Sequence, residues 1–351
     1  MNALSCKVFV RRTNGHLAQI YTGFDMLARQ GVISLSQCFQ MGPPNPLEVH
    51  LSTGKIIFFD VADADGFDSE DALDRADHYF KRSFQIDTIP ARYRHKVHSL
   101  GLNYAVHPDG LPFSRIERLL RREPFTRAIT HAAIALSSTQ WLPVPRRFGS
   151  SVSELQGSPL MDGSRRVLFL ARAWDPDAPE VRDYPEQQEE RFVLNEMRAN
   201  CIRSLRDTLG PDFLGGLAAT PFAQRNYGDV VVTDALMTKR SSFVRMVQRH
   251  AICVATAGLH RSNGWKLAEY VAMSRAIVSE RLHYEVPGGF TSPKNYLEFD
   301  SPDSCVASVV RLREEQDARE AMMLANQQYY DQWLRPDILV RRALHISTGT
   351  D

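Results

Sequence analysis

Short apolar runs recur along this chain, each followed by a stretch with helical spacing. They include "KIIFFDVAD" at 55–63, "RRVLFLARAW" at 165–174 and "AICVATAG" at 251–258. Such runs, flanked by polar and small residues, read as strands buried on both faces. Strands alternating with helices predict an α/β fold with a mainly parallel sheet.

The first half follows this pattern. A strand is expected at 7–10 and a turn at Asn14-Gly15. A helix at 16–30 carries Leu17, Ile20, Phe24 and Leu27 on one face and stops at Gly31. Strands are expected at 32–39, 47–51 and 55–63, a helix at 71–80, and a strand entering a loop at 96–104. Residues 143–164, "PVPRRFGSSVSELQGSPLMDGS", lack periodicity and are rich in Pro, Gly and Ser, as a domain boundary would be. The pattern then restarts. A long helix at 185–210 ends at Gly210, weaker strands are expected at 213–218 and 229–234, and a helix at 241–249. "SPDSCVASVVRL" opens with good helix-start chemistry, and "QQYYDQWL" at 327–334 reads as a docked helix. The expected division is 1–150, 165–325 and a C-terminal helix at 326–351. A length of 351 residues suits about two domains.

The bulk chemistry excludes several classes. A net charge of +1 argues against a polyanion-binding surface over the whole protein, so nucleic acid is not an expected partner. The five cysteines (Cys6, Cys38, Cys201, Cys253 and Cys305) are scattered and form no CxxC pair. That fits neither a disulfide framework nor a zinc site; they are expected to pack as small apolar side chains in a reducing compartment. The N-terminus has no signal-like apolar run, and no stretch approaches the ~18 apolar residues of a membrane helix. A cytoplasmic protein is expected. Arg118, Arg121 and Arg122 leave peripheral contact with the inner face of the membrane open, although an exposed helix face is the plainer reading.

The stretch "AGLHRSNGWKLAEYVAMSRAIVSE" at 257–280 concentrates the chemistry. A strand ends at Gly258, a loop follows, and a helix is expected at 265–273. On a helical wheel Leu267, Ala268, Val271 and Ala272 share one face, while Lys266, Glu269, Tyr270 and Met273 gather opposite. Lys266 and Glu269 are therefore expected off the core stripe. A strand–loop–helix unit presents unpaired N–H groups and a positive dipole end. With His260, Arg261 and Lys266 it suits a phosphate or diphosphate, and Glu269 suits sugar hydroxyls. The plainer alternative is an amphipathic helix with a Lys–Glu pair worth about 0.2–0.5 kcal/mol.

Together with "VPGGF" and "NYLEFDSPDSCVASVVRL", this stretch resembles the donor half of GT-B glycosyltransferases of the bacterial polysaccharide-building type. "RRVLFLARAWDPD" looks like the first strand of that donor domain, and "ADHYFKRSF" with "KVHSLGLNY" like the end of the acceptor domain. The resemblance implies two Rossmann-like α/β domains facing a cleft, with the C-terminal helix crossing back to the first. It implies a nucleotide-sugar donor, a glycan or lipid-linked acceptor, and no metal or other cofactor. By position, Glu269 would hold the ribose, and backbone N–H groups near Asn263 and Gly264, with Lys266, would face the diphosphate. Arg172 matches a phosphate-contacting Arg, and Lys239 or Arg240 would add a second cation. His260 would touch sugar or diphosphate. Many retaining members carry a second Glu eight residues before the ribose Glu; here that position is Arg261. This departure leaves the stereochemical outcome open and keeps a non-catalytic nucleotide- or glycan-binding module as the rival.

Asp60 and Asp63 end the run at 55–63, and either is a candidate base on an acceptor hydroxyl. Asp63-Ala64-Asp65 also resembles the Asp-x-Asp metal motif of GT-A enzymes, whose paired carboxylates hold a hard divalent cation. Asp175 and Asp177 match that pattern equally well. No GxxxxGK[ST], GxGxxG, HExxH or GxSxG sequence occurs.

Overall fold

The computed structural model describes residues 3–11, 15–43, 45–109, 150–234, 237 and 239–349. Asn14 and the Arg118, Arg121 and Arg122 cluster lie outside them. The chain divides into unit 1, Met1–Glu154 with Arg335–Asp351, and unit 2, Leu155–Leu334. Residues 326–334 thus stay with unit 2 rather than joining the C-terminal helix.

Unit 1 is built on a six-stranded sheet. Its strands are β1 (Leu4–Val10), β2 (Ile33–Phe39), β3 (Leu47–Leu51), β4 (Ile56–Asp60), β5 (His78–Lys81) and β6 (Val97–Ser99), in the order β2-β1-β3-β4-β5-β6. All neighbours pair in parallel except β3, which runs antiparallel to β1 and β4. The tight β3–β4 turn makes one of these two antiparallel pairs: Gly54 takes φ 86° and Leu51 N–H bonds the Lys55 carbonyl at 2.9 Å. Helix α1 (Ala18–Arg29) crosses from β1 to β2 and packs against a C-terminal helix, Pro336–Thr348. Gly23 allows that approach, since a Cβ there would lie 2.2 Å from the Pro336 carbonyl oxygen. The shared core includes Ile20, Phe24, Leu27, Val8, Phe59, Leu339 and Leu344.

The expected helix at 71–80 is only half present. Helix α2 (Glu70–Arg75) starts on a Ser69 cap, whose hydroxyl accepts from Ala72 N–H at 3.1 Å, and stops at Arg75. Residues 78–81 become β5 because β4 and β6 offer a ladder on each side and bury Tyr79 and Phe80 completely. Tertiary pairing overrides the local spacing.

Unit 2 holds five strands: β7 (Val167–Ala171), β8 (Phe213–Leu217), β9 (Ile252–Ala255), β10 (Ala276–Glu280) and β11 (Leu297–Phe299). All pair in parallel, in the order β8-β7-β9-β10-β11. Counted within the unit this is order 2-1-3-4-5, so the chain reverses its direction of winding between β7 and β9. Every residue of β7 and β9 is buried, as their unbroken apolar runs require. Val167, Phe169 and Ala171 pack towards helices α3 (Pro185–Leu209) and α4 (Pro302–Glu314). The latter begins with Ser301 and Ser304 bonding each other's backbone N–H reciprocally. The weak strand expected at 229–234 reduces to a 3-10 turn, Gly228–Val230, and one bridge between Leu217 and Val231. Cys6, Cys201, Cys253 and Cys305 are buried free thiols, and Cys38 is half-buried.

Candidate functional site

The reversal point between β7 and β9 is where an open α/β sheet leaves a crevice at its carboxyl ends. Here the two strands pair only at Val167–Ile252 and Leu168–Cys253, then part. The Ala171 carbonyl faces β8 and accepts from Ala218 N–H at 2.8 Å. The Leu170 carbonyl, one residue back, points to the other edge, where the ladder has ended. The ammonium of Lys266 fills that position and donates to Leu170 O. Lys266 reaches it from the first turn of helix α5, here defined as Trp265–Ala272.

Arg198, in the middle of α3, holds the two loops that flank the opening. Its Nε donates to Thr256 Oγ1 at 3.0 Å, Nη1 to the Arg172 carbonyl at 2.6 Å and Nη2 to the Ala257 carbonyl at 2.6 Å. Glu280, at the end of β10, accepts from Ala257 N–H at 2.7 Å. Asn195, one turn earlier in α3, brackets Trp174, accepting its N–H at 2.9 Å and donating to its carbonyl at 2.7 Å. The Arg172 guanidinium lies over the Trp174 ring at 4.4 Å. Arg172 is itself exposed, so it stands at the rim as a held but solvated cation.

Glu269 is 2% exposed and accepts from Arg240 at 2.5 Å. Arg240 and Lys266 each sit 5.7 Å from the Phe243 ring. Three cations, Arg198, Arg240 and Lys266, therefore share this buried region with two carboxylates, Glu269 and Glu280. Their electrostatics show the strain of that enclosure. Burial, then the Arg198 charge, lowers Lys266 to about 8. Burial lowers Arg198 to about 10. Burial raises Glu269 despite Arg240 and Lys266, and raises Glu280 despite Ala257 N–H and Arg198. Positive charge exceeds negative in a low-dielectric setting, the condition under which an anion is bound strongly.

This corrects the wheel reading of 265–273. Lys266 and Glu269 do lie opposite the Leu267 stripe, but that opposite face is interior, with Tyr270 and Met273 fully buried. The helix has apolar cover on both sides, and its charged residues look into a polar seam rather than into solvent.

The remaining donor-side candidates are spread around the same loops. Gly264 caps α5 and has no side chain to offer the first turn; Leu267 N–H is met by the Gly264 carbonyl at 3.1 Å. A Cβ on Gly264 would lie 3.3 Å from the Thr256 carbonyl, so the residue also allows the two loops to meet. Asn263 is buried and turned inward, donating to the Tyr284 carbonyl at 3.2 Å. Its backbone, not its amide, is what the site can offer. His260 and Arg261 are exposed and left-handed, with φ 57° and 55°. That backbone costs about 1–2 kcal/mol per residue. It is held by Gly258 N–H to Ser262 O at 2.8 Å, Tyr284 Oη–H to His260 O at 2.9 Å and Arg261 N–H to Glu190 at 3.1 Å. Lys239 is an exposed residue just before the helix that starts at Arg240, and it is Arg240 that turns inward. A cavity of about 10 Å³ lies behind Ser262, Gly264, Glu280 and Leu282, room for one water. A larger ligand would use the open carboxyl-end face.

In unit 1 the two candidate carboxylates part company. Asp60 is completely buried and accepts from Tyr79 Oη–H, Lys81 Nζ and Asn45 Nδ2 at 2.9, 2.9 and 2.8 Å, and from Ala62 N–H at 3.0 Å. Lys81 is 1% exposed. Asp60 anchors the interior and is not available as a base to an outside hydroxyl. Asp63, by contrast, is 36% exposed and pairs with Arg82, which also donates to His16 Nδ1 at 3.1 Å. Burial, then Arg82, lowers His16, favouring the neutral imidazole. One oxygen of Asp63 is thus already met by Arg82. Among the described residues no cluster of three or more His, Cys, Asp or Glu could hold a metal ion.

Sequence reasoning missed Arg198, Glu280, Arg82 and His16. Arg198 had a readable signal: it falls on the buried stripe Leu194, Arg198, Ile202, Leu205 of α3, where a charge must have interior partners.

No family model matches this chain, and no curated protein matches it. Among solved structures it is similar to the C-terminal domain of a glycosyl transferase group 1 family protein from Francisella tularensis, at 10% identity over 52% of this chain and 96% of that one, TM-score 0.35. It is also similar to a UDP-GlcNAc 2-epimerase from Neisseria meningitidis bound to UDP-GlcNAc, at 14% identity over 78% of this chain and 62% of that one, TM-score 0.38. A third is Anabaena HepE in complex with UDP and glucose, at 10% identity over 98% of this chain and 99% of that one, TM-score 0.40.

Proposed function

We propose that this chain transfers a glycosyl group from a nucleoside-diphosphate sugar to a hydroxyl of a glycan or lipid-linked acceptor. The observation that carries the reading is the excess of positive charge at the parting of β7 and β9, beside the glycine-capped start of α5. Lys266, with backbone N–H groups near Asn263 and Gly264, takes the diphosphate. Arg172, His260, Arg261 and Lys239, all exposed, meet the donor before it is seated. Glu269, braced by Arg240, accepts from the ribose hydroxyls. Arg198 acts indirectly, as a positioning residue that fixes the loops after β7 and β9.

Charge develops on the leaving diphosphate as the glycosidic bond breaks. Donors already aimed at that position stabilise it without reorganisation, which is where most of the rate would originate. These cations perform the role a divalent ion plays elsewhere, so no bound metal is invoked. On the acceptor side Asp63, rather than the enclosed Asp60, is assigned as the base, with Arg82 holding its orientation.

The test is incubation with a panel of UDP-, GDP-, CMP- and dTDP-sugars, reading release of free nucleotide with and without chelator. Release that survives chelation supports the reading. Release lost on chelation and restored by Mn²⁺ would move the chemistry to a metal. Nucleotide binding by thermal shift with no release from any donor would make the chain a binding module.

A further inference from the structure

A second concavity of unit 2 lies at the opposite end of its sheet. A cavity of about 370 Å³ opens where β7 and β8 begin, in the size range of small-molecule sites. Arg166, immediately before β7, forms one wall, and Phe213 and Leu214 at the start of β8 form another. The helix Arg240–Arg249 supplies the third, with Arg245 and Arg249 one turn apart on the same face. His250 closes the floor: it is 7% exposed, and its Nδ1 lies 2.6 Å from the Met246 carbonyl.

Three exposed arginines thus line one cavity. Among the described residues no carboxylate pairs with Arg166, Arg245 or Arg249. Asp212, an acidic residue of the lining, is taken by Arg313 at 2.5 Å. Arg245 Nη2 donates to Ser242 Oγ at 3.2 Å, which orients its fork. Burial lowers His250 against the Met246 carbonyl, which raises it, and the Arg166 charge adds a smaller lowering. Planar guanidinium forks match the oxygens of a phosphate, and a phosphomonoester carries close to two negative charges at neutral pH. Phe213 and Met246 add apolar wall for the body of the molecule that bears it.

We propose that this cavity, lined by Arg166, Arg245, Arg249 and His250, is a second anion site that takes a phosphomonoester, whether on a soluble molecule or on a lipid headgroup. The site lies at the amino ends of the strands, away from the seam around Lys266, and stands independently of the function proposed above.

The test uses the full chain with two probes. Glycerol 3-phosphate is titrated calorimetrically, and flotation is measured with phosphatidylcholine vesicles with and without phosphatidic acid. Each lost arginine should weaken binding by about tenfold, so Arg245→Gln with Arg249→Gln should lose about a hundredfold. Arg166→Gln alone should lose about tenfold, and it decides the matter if the double variant melts early. Binding of glycerol 3-phosphate that the variants lose assigns a soluble ligand. Flotation with phosphatidic acid alone, lost in the same variants, assigns a headgroup. Binding of neither probe, or affinities unchanged in the variants, overturns the proposal.

Discussion

Replacing Lys266 with Met separates the anion site from the fold that holds it. The ammonium sits at about 8 instead of its usual 10.5, mainly through burial. Keeping it charged inside therefore costs roughly 3 kcal/mol, which Met avoids. Against this, Met leaves the Leu170 carbonyl without its donor, a loss of about 1–3 kcal/mol. The two terms nearly offset, so Lys266→Met should move stability by no more than about 2 kcal/mol in either direction. Its effect on a diphosphate should be larger. One enclosed charge-assisted hydrogen bond is worth about 1.5–3 kcal/mol, a loss of about ten- to a hundredfold in affinity. The nucleoside without phosphates should bind both proteins alike, which assigns the loss to the diphosphate. The pH dependence follows from the same group. A bound diphosphate favours the charged ammonium and raises its pKa above 8. Binding then takes up a proton, so affinity is flat below about 8 and falls as pH rises through it. Calorimetric titrations of wild type and Lys266→Met with the preferred nucleoside diphosphate, from neutral to alkaline pH, read both effects. Equal affinities, or the same alkaline decline in the variant, would refute the reasoning.

Glu269→Gln keeps the shape and sheds the burial penalty that raises the carboxyl; nucleoside affinity should fall about tenfold with the fold intact, as read by titration beside a thermal melt. Glu269→Ala is a poorer probe, because it would also strand Arg240. Arg198→Ala removes one cation from three acceptors and should cost about 3–5 kcal/mol in urea unfolding. Asp60→Asn leaves Lys81 charged and enclosed, with a similar expected loss of about 3–5 kcal/mol; full stability with lost turnover would restore Asp60 as a candidate base. Gly288→Ala should lower the melting temperature through about 2–4 kcal/mol, since Gly288 has φ 81° and a Cβ would lie 2.3 Å from Trp333.

The α/β alternation was readable because continuous apolar runs have one common explanation, a strand covered on both faces. β4, β7 and β9 all emerged from such runs. The readings that slipped depended on partners distant in sequence. "HYF" has spacing compatible with a helix, and only the ladders of β4 and β6 make it β5. "DVVVT" has strand composition but gains a single bridge, at Val231. The direction of β3 was equally hidden, because a five-residue strand reads the same in either sense.

The site shows a sharper form of this limit. A helical wheel sorts residues by angle, but it cannot say how many layers cover the helix. Opposite the stripe at Leu267, the wheel gathered Lys266 and Glu269, and a charged face is ordinarily a solvated one. The content of the helix argued otherwise. "WKLAEYVA" carries only two charged residues in eight, flanked by Trp265 and Tyr270, too few to wet a whole face. By contrast "QDAREAMMLANQQY" at Gln316–Tyr329 mixes polar residues throughout and keeps an exposed side. Two opposite charges on an otherwise apolar helix point to interior partners, which here are Leu170 and Arg240. Arg198 on the apolar stripe of α3 follows the same logic from the facing element. Read together, the two helices would have placed a polar seam at the parting of β7 and β9; neither helix alone specifies it, because the seam exists only where the sheet reverses its winding.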